Sequence, residues 1–538
     1  MPKHSLSYRE ARFFSGLMTD YLAENENVRQ FYHRFPRLEQ FKEQIEEKKQ
    51  SFSAEGASKR AVLVENLEQQ YKNIQTSEAT KKNIELLKDE NTFTVTTGHQ
   101  LNLFTGPLYF LYKIISAVNL AEELKSAYPE YNFVPVYWMA TEDHDFDEIN
   151  FFNLHGKKFR WNPPASEATG GAVGELPLTG LEDVLELFSS EIGNSANAQQ
   201  LKTWFEQAYL QHDNLADATR SLANALFGTY GLVILDANSR SLKKFFVPYV
   251  KQELLEKQSF NTTTPVAEAL EKEGYPVQVN PREINLFYLD KGLRERIIER
   301  DGKYFVHEQE ISWTKEELLQ LVEEQPEKFS PNVMMRPLYE EVILPNLCYI
   351  GGGGELAYWF ELKEYFEAAG VTFPVLLLRN SVLLQTKKQD QKRQNLNISL
   401  QELFLKRHEL INRKVRQISN IDIDFSPQKE HLVQQFQEMY EIAEKTDASF
   451  LGAVKAQEVK QLKGLENLEK RLLKAQKRKL EDEVSRIARL QEELFPNGGL
   501  QERHNNFSEY YLEYGDRLIP KLMKQLKPLE LKFDIISL

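Results

Sequence analysis

The stretch TVTTGHQLNLFTGPLYFLYKIISAV, residues 94–118, sets a histidine, an amide and a hydroxyl in a glycine-broken loop between a β-rich run and an apolar helical pattern. In an open α/β sheet, the first loop feeding a helix offers free backbone N–H groups and a positive dipole end, a setting for phosphate. Gly98 permits a turn directly after the strand, and Gly106 with Pro107 precedes the helix, whose first turn suits proline. On this reading His99 and Gln100 project into a cleft and Thr105 adds a hydroxyl. His99 then donates to a phosphate whose charge grows during adenylyl or phosphoryl transfer. Lys113, one to two turns into the helix, either reaches back toward phosphate or stays a surface lysine. The pattern is neither a Walker loop, which ends in GK[ST], nor the spaced glycines of a dinucleotide fingerprint.

A second constellation follows another apolar run. VPVYWMATEDHDFDEINF leads from buried residue types straight into Glu142, Asp143, His144, Asp145, Asp147 and Glu148. Unpaired buried charge is costly, so these groups are solvated, paired, or bound to a ligand or metal. Asp143, His144 and Asp145 are the candidate catalytic group, with His144 as a general base or amine ligand. The plainer alternative is a solvated loop capping the next helix. Contiguous side chains cannot all converge on one ion, so metal ligands stay unassigned.

Three further segments carry polar residues where strands or helices end. LDANSRSLKKFF offers Asn238, Ser239 and Arg240, and Ser239 alternatively caps the following helix. FSPNVMMRPLYEEVILP offers Asn332 and Arg336, the latter able to clamp a carboxylate in bidentate fashion. In YIGGGGELAYW, Gly352 and Gly353 let a substrate or adenine approach the backbone, and Glu355 beyond them is able to take an amine. Cys348, inside an apolar run, reads as core rather than nucleophile. Tyr510, Tyr511 and Tyr514 read as packing residues rather than purine platforms.

The elements that must position these residues follow from pattern. Continuous apolar runs at FTVTT (93), FVPVYWMA (133), GLVILDA (231) and FPVLLLR (373) suit strands covered on both faces. Helical segments between them predict parallel crossovers, hence an α/β, Rossmann-like doubly wound parallel sheet. Residues 1–90 read as an N-terminal helical segment of that core, 91–150 as its first part, 211–255 as its second and 331–385 as its third. Two insertions interrupt it. The first, 151–210, is rich in Pro and Gly and reads as irregular; the second, 256–330, carries the short strands PVQVN and INLFYLD and a tight turn at Asp301-Gly302. Residues 386–500 form a helical coiled-coil domain, in which Leu473, Leu480, Ile487 and Leu494 recur every seven residues with a register shift near Lys477. The seam pairs with the helices of 386–450 or with another subunit. Residues 501–538 form a C-terminal helix and tail packing on the core.

Composition excludes several classes. A formal charge of −13 argues against a general polyanion-binding surface, so no nucleic-acid partner is expected, though a local basic pocket remains compatible. The single cysteine permits no intrachain disulfide and no cysteine-rich structural zinc site, which suits a reducing cytoplasm. No signal-peptide h-region opens the sequence and no run approaches the roughly 20 apolar residues of a membrane span, so a cytoplasmic protein with no membrane partner is expected.

Taken together, TTGHQLNLFTGPLYFLYK, VYWMATEDHDFDEI, LVILDANSR, FSPNVMMRPLYEEVILP and YIGGGGELAYW resemble the bacillithiol-biosynthesis cysteine-adding enzymes over nearly the whole chain. The resemblance implies a Rossmann-like core with connecting-peptide insertions and a C-terminal coiled-coil domain that makes a homodimer. It also implies ligation of L-cysteine to glucosaminyl-malate, forming the amide of bacillithiol. The histidine loop is similar to the first signature of class I aminoacyl-tRNA synthetases and related nucleotidyltransferases, which carries two histidines separated by two residues. Here His99 is followed by Gln100, and no lysine-rich second signature follows the last strand.

Amide formation from a carboxylate and an ammonium needs activation, so ATP or another adenine nucleotide is the expected cosubstrate, with Mg2+ compatible. His99, Gln100 and Thr105 then contact phosphate, Asp143 or His144 holds or deprotonates an amine, and Arg336 with Asn332 suits the malate or cysteine carboxylates. The alternatives are a nucleotidyltransferase acting on another small acceptor, and a non-catalytic nucleotide-sensing assembly factor dimerised by its coiled coil.

Overall fold

The computed structural model describes residues 3–164 and 170–538; Ala165–Thr169, the middle of the Pro/Gly-rich part of the first insertion, lie outside the described residues. The chain forms two compact units. The first comprises the residues up to Arg9, Phe13–Leu383 and Gln501–Ile536; the second comprises Glu10–Arg12, Leu384–Leu500 and the last two residues.

Five strands build the core of the first unit: β1 (Thr92–His99), β2 (Asn132–Met139), β3 (Val233–Asp236), β4 (Asn346–Gly351) and β5 (Val375–Leu378), in the spatial order β5-β4-β1-β2-β3. Every neighbouring pair is parallel. The expected Rossmann-like sheet is therefore present, with one strand more than the apolar runs indicated. NLCYIG in β4 is six residues long and buried throughout, and periodicity alone cannot tell such a run from a buried helix turn. The sheet is covered on both faces, so its strands read as unbroken apolar runs rather than alternating ones. Helix α1 (Tyr109–Ala127) is the crossover from β1 to β2. Ala117, Leu120 and Leu124 of α1 pack with Phe93, Val95, Leu347, Ile350 and Leu377 of the sheet, and Phe41 and Ile45 from the long helix Gln40–Gln70 join the same cluster. Cys348 is fully buried there, and burial pushes its thiol well up, as befits a core residue.

Register aligns the strand ends. His99 pairs with Met139 and Met139 with Asp236, while Gly351 pairs with Leu378. The polar segments that follow all five strands thus leave one edge of the sheet. The order reverses between β1 and β4, the switch point where open α/β sheets form their ligand crevice.

The insertions are more regular than composition indicated. The first contains the hairpin Phe151–Leu154/Lys157–Arg160 and the helices Leu181–Ile192 and Ala196–Tyr209. The second builds an antiparallel five-stranded sheet from Leu286–Asp290, Leu293–Arg300, Lys303–Val306, Ser312–Trp313 and Phe329–Pro331. Asp301 and Gly302 turn its hairpin with φ of 51° and 76°, as the Asp-Gly pair foretold. PVQVN is not a strand; Gln278 and Val279 instead donate backbone N–H groups to buried Glu361.

In the second unit, Ser426–Ala443 packs against Ala448–Lys479 through Phe436, Ala443 and Val454. The heptad seam does not run along one helix. Leu473, Ile487 and Leu494 are buried, but Leu480 leaves helical geometry (φ −105°, ψ 32°) and separates Ala448–Lys479 from Glu481–Leu494. Charge explains the break: Lys477, Arg478 and Lys479 stabilise a helix C-terminus, and Glu481, Asp482 and Glu483 stabilise the next N-terminus. Among the described residues no helix is long and apolar enough to cross a membrane.

Candidate active site

A cleft of about 880 Å³ opens over the C-terminal edge of the sheet, within the first unit. Gly98, His99 and Gln100 border it from the end of β1, Asp143 from the segment after β2, Asn238 from that after β3, and Gly352 and Glu355 from that after β4. Asn332 and Arg336, at the start of α2 (Arg336–Ile343), complete one wall. His99 and Arg336 thus share one cleft.

The loop between β1 and α1 folds for a different reason than phosphate binding. Phe104, Thr105 and Gly106 are consecutive residues with φ of 48°, 69° and 60°, and such conformations persist only when the surroundings over-determine them. Phe104 is held among Phe152, Phe188, Phe205 and Phe507, and Tyr209 Oη accepts its N–H at 2.8 Å. Asn506 Nδ2 donates to the carbonyls of Phe104 (2.7 Å) and Gly106 (2.6 Å), and the Leu108 N–H donates to Asn505 O. The loop's backbone groups are therefore engaged by the C-terminal segment. Thr105 and Gly106 do not line the cleft, which corrects their expected phosphate contact. At Gly106 an added Cβ would lie 2.6 Å from Asn102 Cβ. Gly106→Ala is expected to destabilise the chain by about 1–3 kcal/mol; an unchanged urea midpoint would refute this account of the loop.

His99 is buried, and burial, followed by the charges of Lys113 and Arg379, pushes its imidazole well below the ordinary value. A backbone hydrogen bond with Thr105 favours a ring N–H, and Nε2 is left without a partner. The neutral tautomer that satisfies both presents Nε2 as an acceptor. The expected donation to phosphate does not fit this state.

Lys113 is not at the surface. It is 3% exposed, donates to Gly98 O at 2.6 Å and pairs with Glu355 Oε2 at 2.6 Å. Burial opposes ionisation of Glu355, but Lys113, the Gly352 N–H and Tyr349 Oη together hold its carboxyl below the usual range. Glu355 belongs to α3 (Gly353–Trp359), and Gly352 is the residue before it. Gly98 is needed because a Cβ there would meet Tyr349 Oη at 3.0 Å. Gly353 faces Met18 rather than the cleft. Arg336 donates from Nη1 to Glu340 (2.7 Å) and from Nη2 to Tyr358 Oη (3.1 Å). Both ends of the expected carboxylate clamp are thus engaged within the protein.

At the other end, Gln100 Nε2 bridges Asp143 Oδ2 (2.9 Å) and Glu148 Oε2 (3.0 Å). Burial opposes ionisation of Asp143, yet hydrogen bonds from His144 and Gln100 and the charge of Arg294 hold its carboxyl well below the ordinary range. His144 does not line the cleft; its Nδ1 lies 2.7 Å from Arg294 Nη1, and Arg294 does line it. Asp145 caps the short helix Phe146–Ile149 by accepting the Glu148 N–H. Ser239 is likewise a cap, accepting from Leu242 N, and Arg240 donates outward to Glu324 O. Asp145, Ser239 and Arg240 therefore leave the candidate site as local structure. Asn332 lines the cleft but spends its amide on Asn285 Oδ1 and on the N–H groups of Met334 and Met335. Among the described residues no group of three or more His, Cys, Asp or Glu side chains is placed to hold a metal ion.

Sequence reasoning missed Tyr109, Arg294, Arg379 and Arg503, all of which border the cleft. Arg379 had a signal, since it is the first charged residue after the buried run of β5. Its guanidinium meets Glu502 at 2.8 Å and lies over Tyr109 at 5.1 Å. Arg294 sits in an alternating strand and Arg503 in a polar turn, and neither pattern distinguishes a site residue. The packing reading of the tyrosines agrees with Tyr511 against Trp204 at 4.8 Å and with buried Tyr510.

The family model for the N-terminal Rossmann-like domain of bacillithiol biosynthesis BshC matches residues 1–380, and that for its C-terminal coiled-coil domain matches residues 382–538. A Christiangramia forsetii protein named "Putative cysteine ligase BshC" is 64% identical over 537 residues, covering 100% of this chain and 99% of its own length. A Flavobacterium johnsoniae protein of the same name is 58% identical over 538 residues and the full length of both. One from Bacillus cytotoxicus is 29% identical over 478 residues, 87% of this chain and 88% of its own. The chain belongs to the BshC family of bacillithiol biosynthesis, whose members cited above carry the name "Putative cysteine ligase BshC".

Proposed function

We propose that the cleft joins L-cysteine to glucosaminyl-malate, the cysteine carboxylate being activated by ATP as a mixed anhydride before the glucosamine amine attacks it. The first step releases pyrophosphate if the anhydride is the adenylate. In the second, the ammonium gives up one proton to become the free amine, the amine nitrogen bonds the acyl carbon, the nucleotide leaves, and a second proton is lost.

The observation that carries this reading is that one cleft is lined by Asp143, whose carboxylate accepts from Gln100, and by His99, whose Nε2 has no partner within the protein. Asp143 is too acidic to act as a base, and its charge suits orienting the incoming ammonium. His99 is held neutral by burial and by the charges of Lys113 and Arg379, so its unpartnered Nε2 suits accepting a hydrogen bond from the amine rather than keeping its proton. Lys113 and Glu355 fix the floor of the cleft, and Tyr349 Oη fills the space that a Cβ at Gly98 would take. Mg2+, where used, would arrive with the nucleotide. The second unit leaves Ile442, Val459 and Leu468 exposed, a surface suited to pairing with a second copy.

Incubation of the purified chain with L-cysteine, glucosaminyl-malate and ATP tests the reading. Bacillithiol with stoichiometric pyrophosphate is expected. Phosphate in place of pyrophosphate would move activation to an acyl phosphate, and product without ATP cleavage would end the ATP-dependent reading.

A further inference from the structure

Cations bordering the cleft are matched to carboxylates of the protein itself. Lys113 meets Glu355 at 2.6 Å, Arg336 meets Glu340 at 2.7 Å, Arg379 meets Glu502 at 2.8 Å, and Arg294 lies 3.9 Å from Asp143. A ligand anion that recruited one of these would have to compete with a carboxylate already in place. Arg503 is different. It borders the cleft, its side chain is exposed, and among the described residues it has neither an ion pair nor a hydrogen-bonded side-chain partner. Its charge acts on the phenol of Tyr109, favouring the ionised form.

The backbone beneath this free guanidinium is fixed. The preceding residue, Glu502, is fully buried and uses one carboxylate oxygen on Arg379 and the other on the Val382 N–H (3.0 Å). On the other side, the N–H groups of His504 and Asn505 both donate to Gln501 O, and Asn505 O accepts from Leu108 at the start of α1. A rigid turn thus presents an uncommitted planar cation at the cleft, while the cations beside it are already satisfied. That arrangement suits bidentate recognition of carboxylate or phosphate oxygens.

We propose that Arg503 is the specificity-determining residue of the cleft, its guanidinium binding the multiply charged oxyanion group of a substrate: the malyl dicarboxylate or the nucleotide phosphates. This rests on the proposed function for the identity of those two ligands, but the recognition itself does not depend on turnover.

Calorimetric titration of the full chain with glucosaminyl-malate and, separately, with ATP tests it in the wild type, Arg503→Ala and Arg503→Lys. Arg503→Ala is expected to weaken one ligand at least tenfold and leave the other within twofold, with Arg503→Lys between, since it keeps the charge and loses the fork. Loss confined to glucosaminyl-malate assigns the malyl group, and loss confined to ATP assigns the phosphates. Equal weakening of both, no weakening of either, or a wild type that binds neither overturns the inference. Bacillithiol formation by Arg503→Ala with unchanged KM for both substrates also overturns it while leaving the proposed function intact. Arg503-dependent binding without bacillithiol formation does the reverse.

Discussion

Replacing Lys113 by methionine is expected to cost about 1–3 kcal/mol of stability, because it removes the buried cation from a carboxylate that is 27% exposed and leaves the Gly98 carbonyl without its donor, and to abolish ligation. Lys113 is 3% exposed and joins Gly98 O at the end of β1 to Glu355 in α3, so the change also unfastens the two strand ends at the switch point. Its pH dependence is distinctive. In the wild type Glu355 is held below the ordinary carboxylate range, so its contribution is present above that range and is lost only as pH falls through the depressed value. Stability should therefore be insensitive to Glu355 between pH 6 and 8. In Lys113→Met burial acts on Glu355 with less to oppose it, its carboxyl rises, and stability falls as pH increases through the raised value. Urea unfolding at pH 5.5 and pH 8 should show the variant recovering part of its loss at the lower pH. The double variant Lys113→Met/Glu355→Leu should recover part at both. A single variant indistinguishable in stability from the wild type would remove this pair from the account of the site.

The second large effect is expected at Glu502, which is far from any strand end in the sequence. Glu502→Ala leaves Arg379, 3% exposed, without its carboxylate and leaves the Val382 N–H unpaired. Loss of one partner of a buried pair sets the scale at about 3–5 kcal/mol. The consequence for function comes through the turn that Glu502 anchors, since Arg503 and the loop-clamping Asn506 follow it directly. Limited proteolysis should cut near residues 501–506 faster in Glu502→Ala than in the wild type, and ligand binding should weaken with it. Glu502→Gln keeps an acceptor for the Val382 N–H and should lie between. If Glu502→Ala resists protease like the wild type, the segment is held by its other contacts and the anchoring role falls.

What could be read from residues alone was local. Unbroken apolar runs marked β1, β2, β3 and β5 because strands covered on both faces need no alternation, and each run ended in polar residues that the fold brings to one edge. β4 escaped because a short buried run has no period that separates strand from helix. Ser239 and Asp145 show the opposite failure: residue types that suit chemistry also suit caps, and the choice turns on whether a neighbouring N–H lies in reach. His144 was chosen for its type, yet its ring turns to Arg294, which a β-hairpin of the second insertion supplies. The seam through Leu480 was legible as a repeat, and the break in it was legible too, in the basic end and acidic start that flank it.

By itself, then, the sequence determined a parallel α/β sheet with polar strand ends, a helical second unit, and the family to which both belong. Only the tertiary structure decided which charges at the cleft are spent and which are free. Lys113 with Glu355 and Arg379 with Glu502 are far apart along the chain, the latter by 123 positions, and an ion pair depends on separation in space. Residue type announces a charge; its availability to a ligand is fixed by what folding places within a few ångströms of it.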